Sequence, residues 1–165
     1  MKTLIEHLAN YAAYHRDRRN IFTHFIGIPM IVLAVTTLLA RPALPLGDGS
    51  AYLTPAMLVY ILSSLFYLRL SLGFGVAMAA ILAVFLYAGA QIAAMPTVWW
   101  LVIGIGLFVV GWIIQFVGHY YEGRKPAFVD DMVGLLIGPL FLVAETAFAL
   151  GLARETREAM LARAH

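Results

Sequence analysis

Between Ile21 and Ala40 the chain carries no charged side chain, and four later runs are nearly as apolar. They are Leu53–Leu68, Phe74–Met95 with only Gln91 polar, Trp99–Val117, and Met132–Leu150, which Gly138–Pro139 and Glu145 interrupt. A bilayer core of about 30 Å takes roughly 20 such residues as one helix. Water is absent there, and the helix satisfies its own backbone groups. These runs predict an all-α, polytopic membrane helical bundle. It has four full spans and a kinked or re-entrant fifth segment turning at Gly138–Pro139. Met1–Asn20 and the last fifteen residues are more polar and read as amphipathic terminal helices at the interface.

Composition agrees: 62% of residues are hydrophobic and 12% charged, against about half and a quarter in soluble domains. A length of 165 residues fits a single membrane-embedded domain, 1–165. The net charge of +2 is too small and too scattered for a nucleic-acid groove. Without cysteine there are no disulfides, thiolate metal sites or Fe–S clusters, so any metal must be held by His, Asp or Glu.

Basic residues set the expected orientation. Arg16, Arg18, Arg19, Arg69, Arg124 and Lys125 share the cytoplasmic side after even numbers of crossings, and a returning fifth segment brings Arg154, Arg157 and Arg163 there too. The short chain and compact tail point to a bacterial inner membrane. The regions around His15–His24 and His119–Asp131 then face the same side.

Four features can carry chemistry. In the stretch from His15 to Pro29, one continuous helix would put His15 and His24 on opposite faces, whereas a break near the charged run lets them converge. Asn20 would then cap the first span. Taken alone, His15 reads better as a surface residue beside the arginines and His24 as a satisfied interfacial histidine. Further on, Gln115, His119 and Glu122 form one helical stripe. His and Glu three apart can ligate a metal such as Fe(II), Mn(II) or Zn(II), or simply end a helix among headgroups. Glu145 sits deep in an apolar run, where a carboxylate costs about 2–3 kcal/mol or more. It is protonated, paired, or close enough to the end to reach water. The arginine cluster with Arg124 and Lys125 can hold a carboxylate or phosphate, or act only as an orientation signal. His7 on the polar side of the first helix and the terminal His165 read as incidental.

Taken together, two motifs resemble the Mpo1-like family. The first is Tyr14-His15-Arg-Asp17-Arg-Arg-Asn20-Ile-Phe-Thr-His24-Phe-Ile-Gly27-Ile-Pro29. The second runs from Trp112 through Gln115, Gly118-His119, Glu122 and Pro126-Ala127, and is followed by Gly134, Gly138-Pro139-Leu140 and Glu145. Between Arg41 and Val110 the likeness is one of hydropathy only. The resemblance implies an Fe(II)-dependent dioxygenase of fatty-acid α-oxidation, which shortens long-chain 2-hydroxy fatty acids by one carbon using O2. Carried over, His15, His24 and His119 are the iron ligands. Glu122 is our own addition as a fourth ligand or close supporting group. Arg16, Arg18 or Arg124 would offset the substrate carboxylate, with the acyl tail between spans among membrane lipid. An oligomer is compatible with this reading. A di-metal enzyme would need roughly eight ligands. The alternative of another class is a small membrane transporter or scaffold with no catalytic metal. A transport path would show ionisable residues near mid-membrane on several spans, and these spans carry almost none.

Overall fold

The computed structural model describes residues 2–163. It is helical almost throughout, apart from one short hairpin. Two compact units are distinguished. One comprises the chain up to Ile28 together with the chain from Ile113 onward, and the other is Pro29–Trp112.

In the first unit, α1 (Leu4–Ala13) opens with a capping box. The Thr3 hydroxyl accepts from the Glu6 amide at 3.3 Å, and the Glu6 carboxylate accepts from the Thr3 amide at 2.7 Å. Residues 14–17 break the helix, and α2 (Arg18–Leu38) begins at Arg18. Its cap is Asp17 rather than Asn20: the Asp17 carboxylate accepts from the Arg19 amide at 2.8 Å and its carbonyl from the Ile21 amide at 3.1 Å. The cap lies three residues earlier than expected because Asp17 can pair with Arg19 as well as cap. Asn20 is left inside the helix and fully buried.

The second unit holds the rest of α2, then the hairpin β1 (Leu44–Leu46) and β2 (Ala51–Leu53), antiparallel with Leu44 opposite Leu53. Helix α3 (Pro55–Leu70) has Thr54 as cap and Pro55 in its first turn, and packs along α4 (Leu72–Ala93). The guanidinium of Arg41 donates to the Ala93 carbonyl at 2.7 and 3.0 Å, to the Met95 carbonyl at 2.8 Å and to the Thr97 hydroxyl at 3.0 Å. It also lies 4.4 Å from the Trp100 ring centroid, so it ties the end of α2 to the turn between α4 and α5 (Thr97–Glu122).

Back in the first unit, the end of α5 leads to the short α6 (Ala127–Asp130), α7 (Gly134–Ala149) and α8 (Arg154–Arg163). Helices α1 and α7 pack together, α8 lies against α1, and Arg163 pairs with Glu6 at 3.0 Å. The tail therefore returns to the N-terminal helix. The pivot is not Gly138–Pro139, which α7 passes through unbroken. The bend of 119° between α7 and α8 falls at Gly151, in the left-handed region at φ +75°. Pro139 stands early in α7, where a missing amide costs one bond near the helix start, whereas Gly151 supplies a conformation that terminates a helix outright.

The molecule is a membrane bundle. Among the described residues, α2, α4 and α5 are long and apolar enough to cross a bilayer, and the bent α7–α8 pair counts as a fourth candidate. Helix α3 is apolar but has only 16 residues, about 24 Å of rise. Burial runs inside out: Asn20, His24, Thr37, Gln115 and His119 are buried while Val84, Val98, Val102, Ile105 and Ile113 are exposed. Lipid is the solvent that tolerates this arrangement. From Trp100 to His119 the α5 axis rises about 28 Å, near the thickness of the hydrocarbon core.

Arg41→Ala removes the fork that closes the α4–α5 turn. It is expected to cost about 2 kcal/mol, read as a lower unfolding midpoint in detergent, and Arg41→Lys should recover only part of the loss.

Candidate metal centre

Three histidines meet in the first unit. His15 comes from the turn after α1, His24 from the second turn of α2 and His119 from the end of α5. One ring nitrogen of each lies within 4.8 Å of those of the other two. Ring centroids are 4.4 Å apart for His15–His24, 5.2 Å for His15–His119 and 5.0 Å for His24–His119, with planes crossing at 70–78°. All three side chains are buried. The break at residues 14–17 brings about the convergence that an unbroken helix would forbid.

Main-chain carbonyls fix two of the three rings. His15 Nδ1 lies 2.7 Å from the Tyr11 carbonyl oxygen, and His24 Nδ1 lies 2.8 Å from that of Asn20. A carbonyl only accepts, so each Nδ1 carries hydrogen and donates. In the neutral rings both Nε2 atoms are then bare lone pairs, and they face each other at 2.9 Å. Burial pushes the His15 imidazole down to about 4, an effect only partly opposed by its bond to Tyr11, so near neutral pH it brings no proton to share. Two acceptors at this separation make a place that a cation could occupy. The buried His119 Nδ1 has no hydrogen-bond partner either. Neutral imidazoles and no cysteine make a donor set suited to Fe(II), Mn(II) or Zn(II).

Gly118 makes room for this. A Cβ there would overlap the Thr23 hydroxyl and lie 2.6 Å from Asn20 Oδ1. Only glycine lets α5 come this close to α2 one residue before His119.

The other candidate residues distribute differently. Glu122 is not brought into the triad. Its carboxylate accepts from the backbone amides of Arg16 (2.9 Å) and Asp17 (2.8 Å) and from the Asn20 side-chain amide (3.1 Å). Arg16 and Arg124 are exposed. Arg124 donates to the Ala13 carbonyl at 2.7 Å and lies over the Tyr14 ring. Arg18 is exposed, Arg19 pairs with Asp17, and Lys125 pairs with Asp130. Glu145 is half-buried on α7, apart from the triad, with Arg157 of α8 as its charged neighbour. His7 is buried rather than on the polar face of α1, because α1 packs on α7 and α8 instead of lying free at an interface. His165 lies outside the described residues.

Tyr11 and Phe141 complete the surroundings, and neither stands out in the sequence reading. The Tyr11 ring stacks on His15 at 4.1 Å and 10°, and Phe141 lies 5.0 Å from Tyr11 and 6.0 Å from His15. Tyr11 precedes His15 by four residues, a helical spacing that hints at contact. Phe141 carries no comparable signal. Tyr11 also lines a cavity of about 400 Å³ with Lys2, His7, Tyr14, Asp130 and Asp131. Two carboxylates against one ammonium make that cavity a poor receptor for an anion.

A family model described as "2-hydroxy-palmitic acid dioxygenase Mpo1-like" matches residues 1–150. The chain belongs to the Mpo1-like family. It is also 34% identical over 146 residues to a Saccharomyces cerevisiae protein named 2-hydroxy-palmitic acid dioxygenase MPO1, covering 87% of this chain and 79% of the yeast protein. No solved structure matches. The three histidines and Glu122 all fall within the residues that the family model spans.

Two outcomes follow from this geometry. Gly118→Val should separate α2 from α5 and lower the unfolding midpoint in detergent by the equivalent of about 1–3 kcal/mol. His15 has a folded-state value of about 4 against an ordinary 6.5. Between these the unfolded chain binds more protons, so stability rises with pH across that window and falls on acidification. The midpoint of metal-free protein should drop from pH 6.5 towards 4, and that of His15→Phe should drop less.

Proposed function

We propose that the protein is an Fe(II)-dependent dioxygenase of fatty-acid α-oxidation, acting on long-chain 2-hydroxy fatty acids such as 2-hydroxypalmitate. The observation that carries this reading is the pair of bare Nε2 atoms 2.9 Å apart, each aimed by a main-chain carbonyl. Family membership and the name of the yeast relative support the substrate class. His15, His24 and His119 would hold the ion. Three neutral imidazoles would hold Fe(II) while leaving it accessible to the carboxylate and hydroxyl oxygens of a 2-hydroxy acid. Bound there, iron supplies a Lewis acid for the chelate and a redox partner for O2.

The chain's own residues supply the rest. Tyr11 and Phe141 wall one side of the triad and exclude water from it. The two carbonyls keep Nδ1 protonated, so that the ligating nitrogens stay neutral without a proton having to leave. Arg16 and Arg124 offset the substrate carboxylate, and the acyl tail stays among apolar spans and lipid. One 2-hydroxy acid and one O2 balance as the acid one carbon shorter, one CO2 and one water. The two carbons lose four electrons, which one O2 accepts, so no further reductant is needed. By the positive-inside rule, Arg16, Arg18, Arg19, Arg124 and Lys125 favour a site facing the cytoplasm.

Metal analysis of protein purified anaerobically in mild detergent tests the reading. Close to one iron per chain is expected, lost in His119→Ala, with wild type converting 2-hydroxypalmitate and O2 to the 15-carbon acid. His15→Ala and His24→Ala should each reduce turnover at least about 100-fold. If wild type holds no transition metal even after Fe(II) is supplied, the dioxygenase reading fails and a transporter or scaffold remains.

A further inference from the structure

Glu122 ends α5 one turn beyond His119, and Gly123 follows it in the left-handed region at φ +68°. A carboxylate at the C-terminal end of a helix faces the negative pole of the helix dipole, so its presence there does not serve the helix. It serves the loop opposite. Oε1 accepts from the Arg16 amide at 2.9 Å, and Oε2 accepts from the Asp17 amide at 2.8 Å and from Asn20 Nδ2 at 3.1 Å. The peptide bearing the Arg16 amide is the one directly after His15. Asn20 in turn offers the carbonyl that receives His24 Nδ1–H at 2.8 Å. One carboxylate thus reaches the backbone beside His15, the residue that orients His24, and the turn that carries His119.

We infer that Glu122 is the positioning residue of the triad, a carboxylate that holds His15 and His24 against His119 without itself binding the metal. This rests on the metal reading above. The site needs a group that only accepts, because three N–H donors converge on it. A glutamine of the same length would turn its own NH2 group towards at least one of them. Outer groups of this kind set metal affinity by fixing ligand geometry, and their loss typically weakens binding about 10- to 100-fold.

The test uses full-length, metal-free protein in detergent, titrated calorimetrically with Co(II) as an air-stable probe. In parallel, amide hydrogen exchange is followed over residues 14–20. Glu122→Gln should weaken Co(II) binding about 10- to 100-fold and speed exchange at Arg16 and Asp17 while the protein remains folded. Asn20→Ala, which removes one arm of the clamp, should weaken binding several-fold in the same direction, and it carries the test if Glu122→Gln does not fold. A purely structural carboxylate would lower the unfolding midpoint and leave Co(II) affinity of the folded protein unchanged. Wild-type affinity in Glu122→Gln, or in Asn20→Ala where that variant stands in, overturns the inference and leaves the metal reading intact. Unchanged exchange at Arg16 and Asp17 in Glu122→Gln overturns it too. If wild type takes up no Co(II), the metal reading fails and this inference falls with it.

Discussion

Helices α2 and α5 touch at Gly118, where a single added carbon would collide with Thr23 and crowd Asn20. Every feature of the site is arranged around that contact. Thr23 is followed by His24, Gly118 by His119, and Asn20 reaches Glu122 one turn further along α5. In lipid, helices gain little from burying apolar surface against each other, and close backbone approach at small residues supplies the packing instead. The glycine is therefore both the adhesive of the helix pair and the spacer that sets the separation of two imidazoles.

The same setting raises the cost of every polar atom left unpaired. A buried donor or acceptor without a partner costs about 1–3 kcal/mol, and a bilayer offers no water to soften this. Among the described residues, Asn20 Oδ1, Gln115 Oε1 and His119 Nδ1 lack partners on the stretches that build the triad, and Thr37 Oγ1 and Ser64 Oγ lack them elsewhere in the chain. Arg41, just past the end of α2, shows the opposite economy, its donors spent on three oxygen-bearing residues around the α4–α5 turn.

How much of this could be read from the residues varies along the chain. The apolar helices were legible because uncharged runs of that length have few other uses, whereas the three histidines came together through the resemblance of the two motifs, since the residues alone left His15 at the surface and His24 at the interface. Asn20 was misread as a cap since Asn is a good capping residue, but Asp17 competes better by pairing with Arg19 as well. The pivot of the fifth segment was sought at Pro139, where proline looks like a breaker, and it lies at Gly151 because helix position decides what a proline costs. The residues offered Glu122 as a ligand or a supporting group without choosing between them. Two of its three partners are backbone amides more than a hundred residues away, and amides have no letter in a sequence.

That last point extends to the histidines. The groups that set the tautomers of His15 and His24 are the carbonyls of Tyr11 and Asn20, which belong to the main chain. Exchanging the side chain at either position leaves the carbonyl in place, so that substitutions there report on ring stacking or on the amide arm, not on tautomer choice. What does move the carbonyls is helical phase. One residue inserted or deleted between Asn20 and His24 swings the ring by about 100°, and one between Tyr11 and His15 takes the ring away from its carbonyl partner. The centre is thus tolerant of spelling and intolerant of length, a form of vulnerability that belongs to the reading frame of the helix and not to its alphabet.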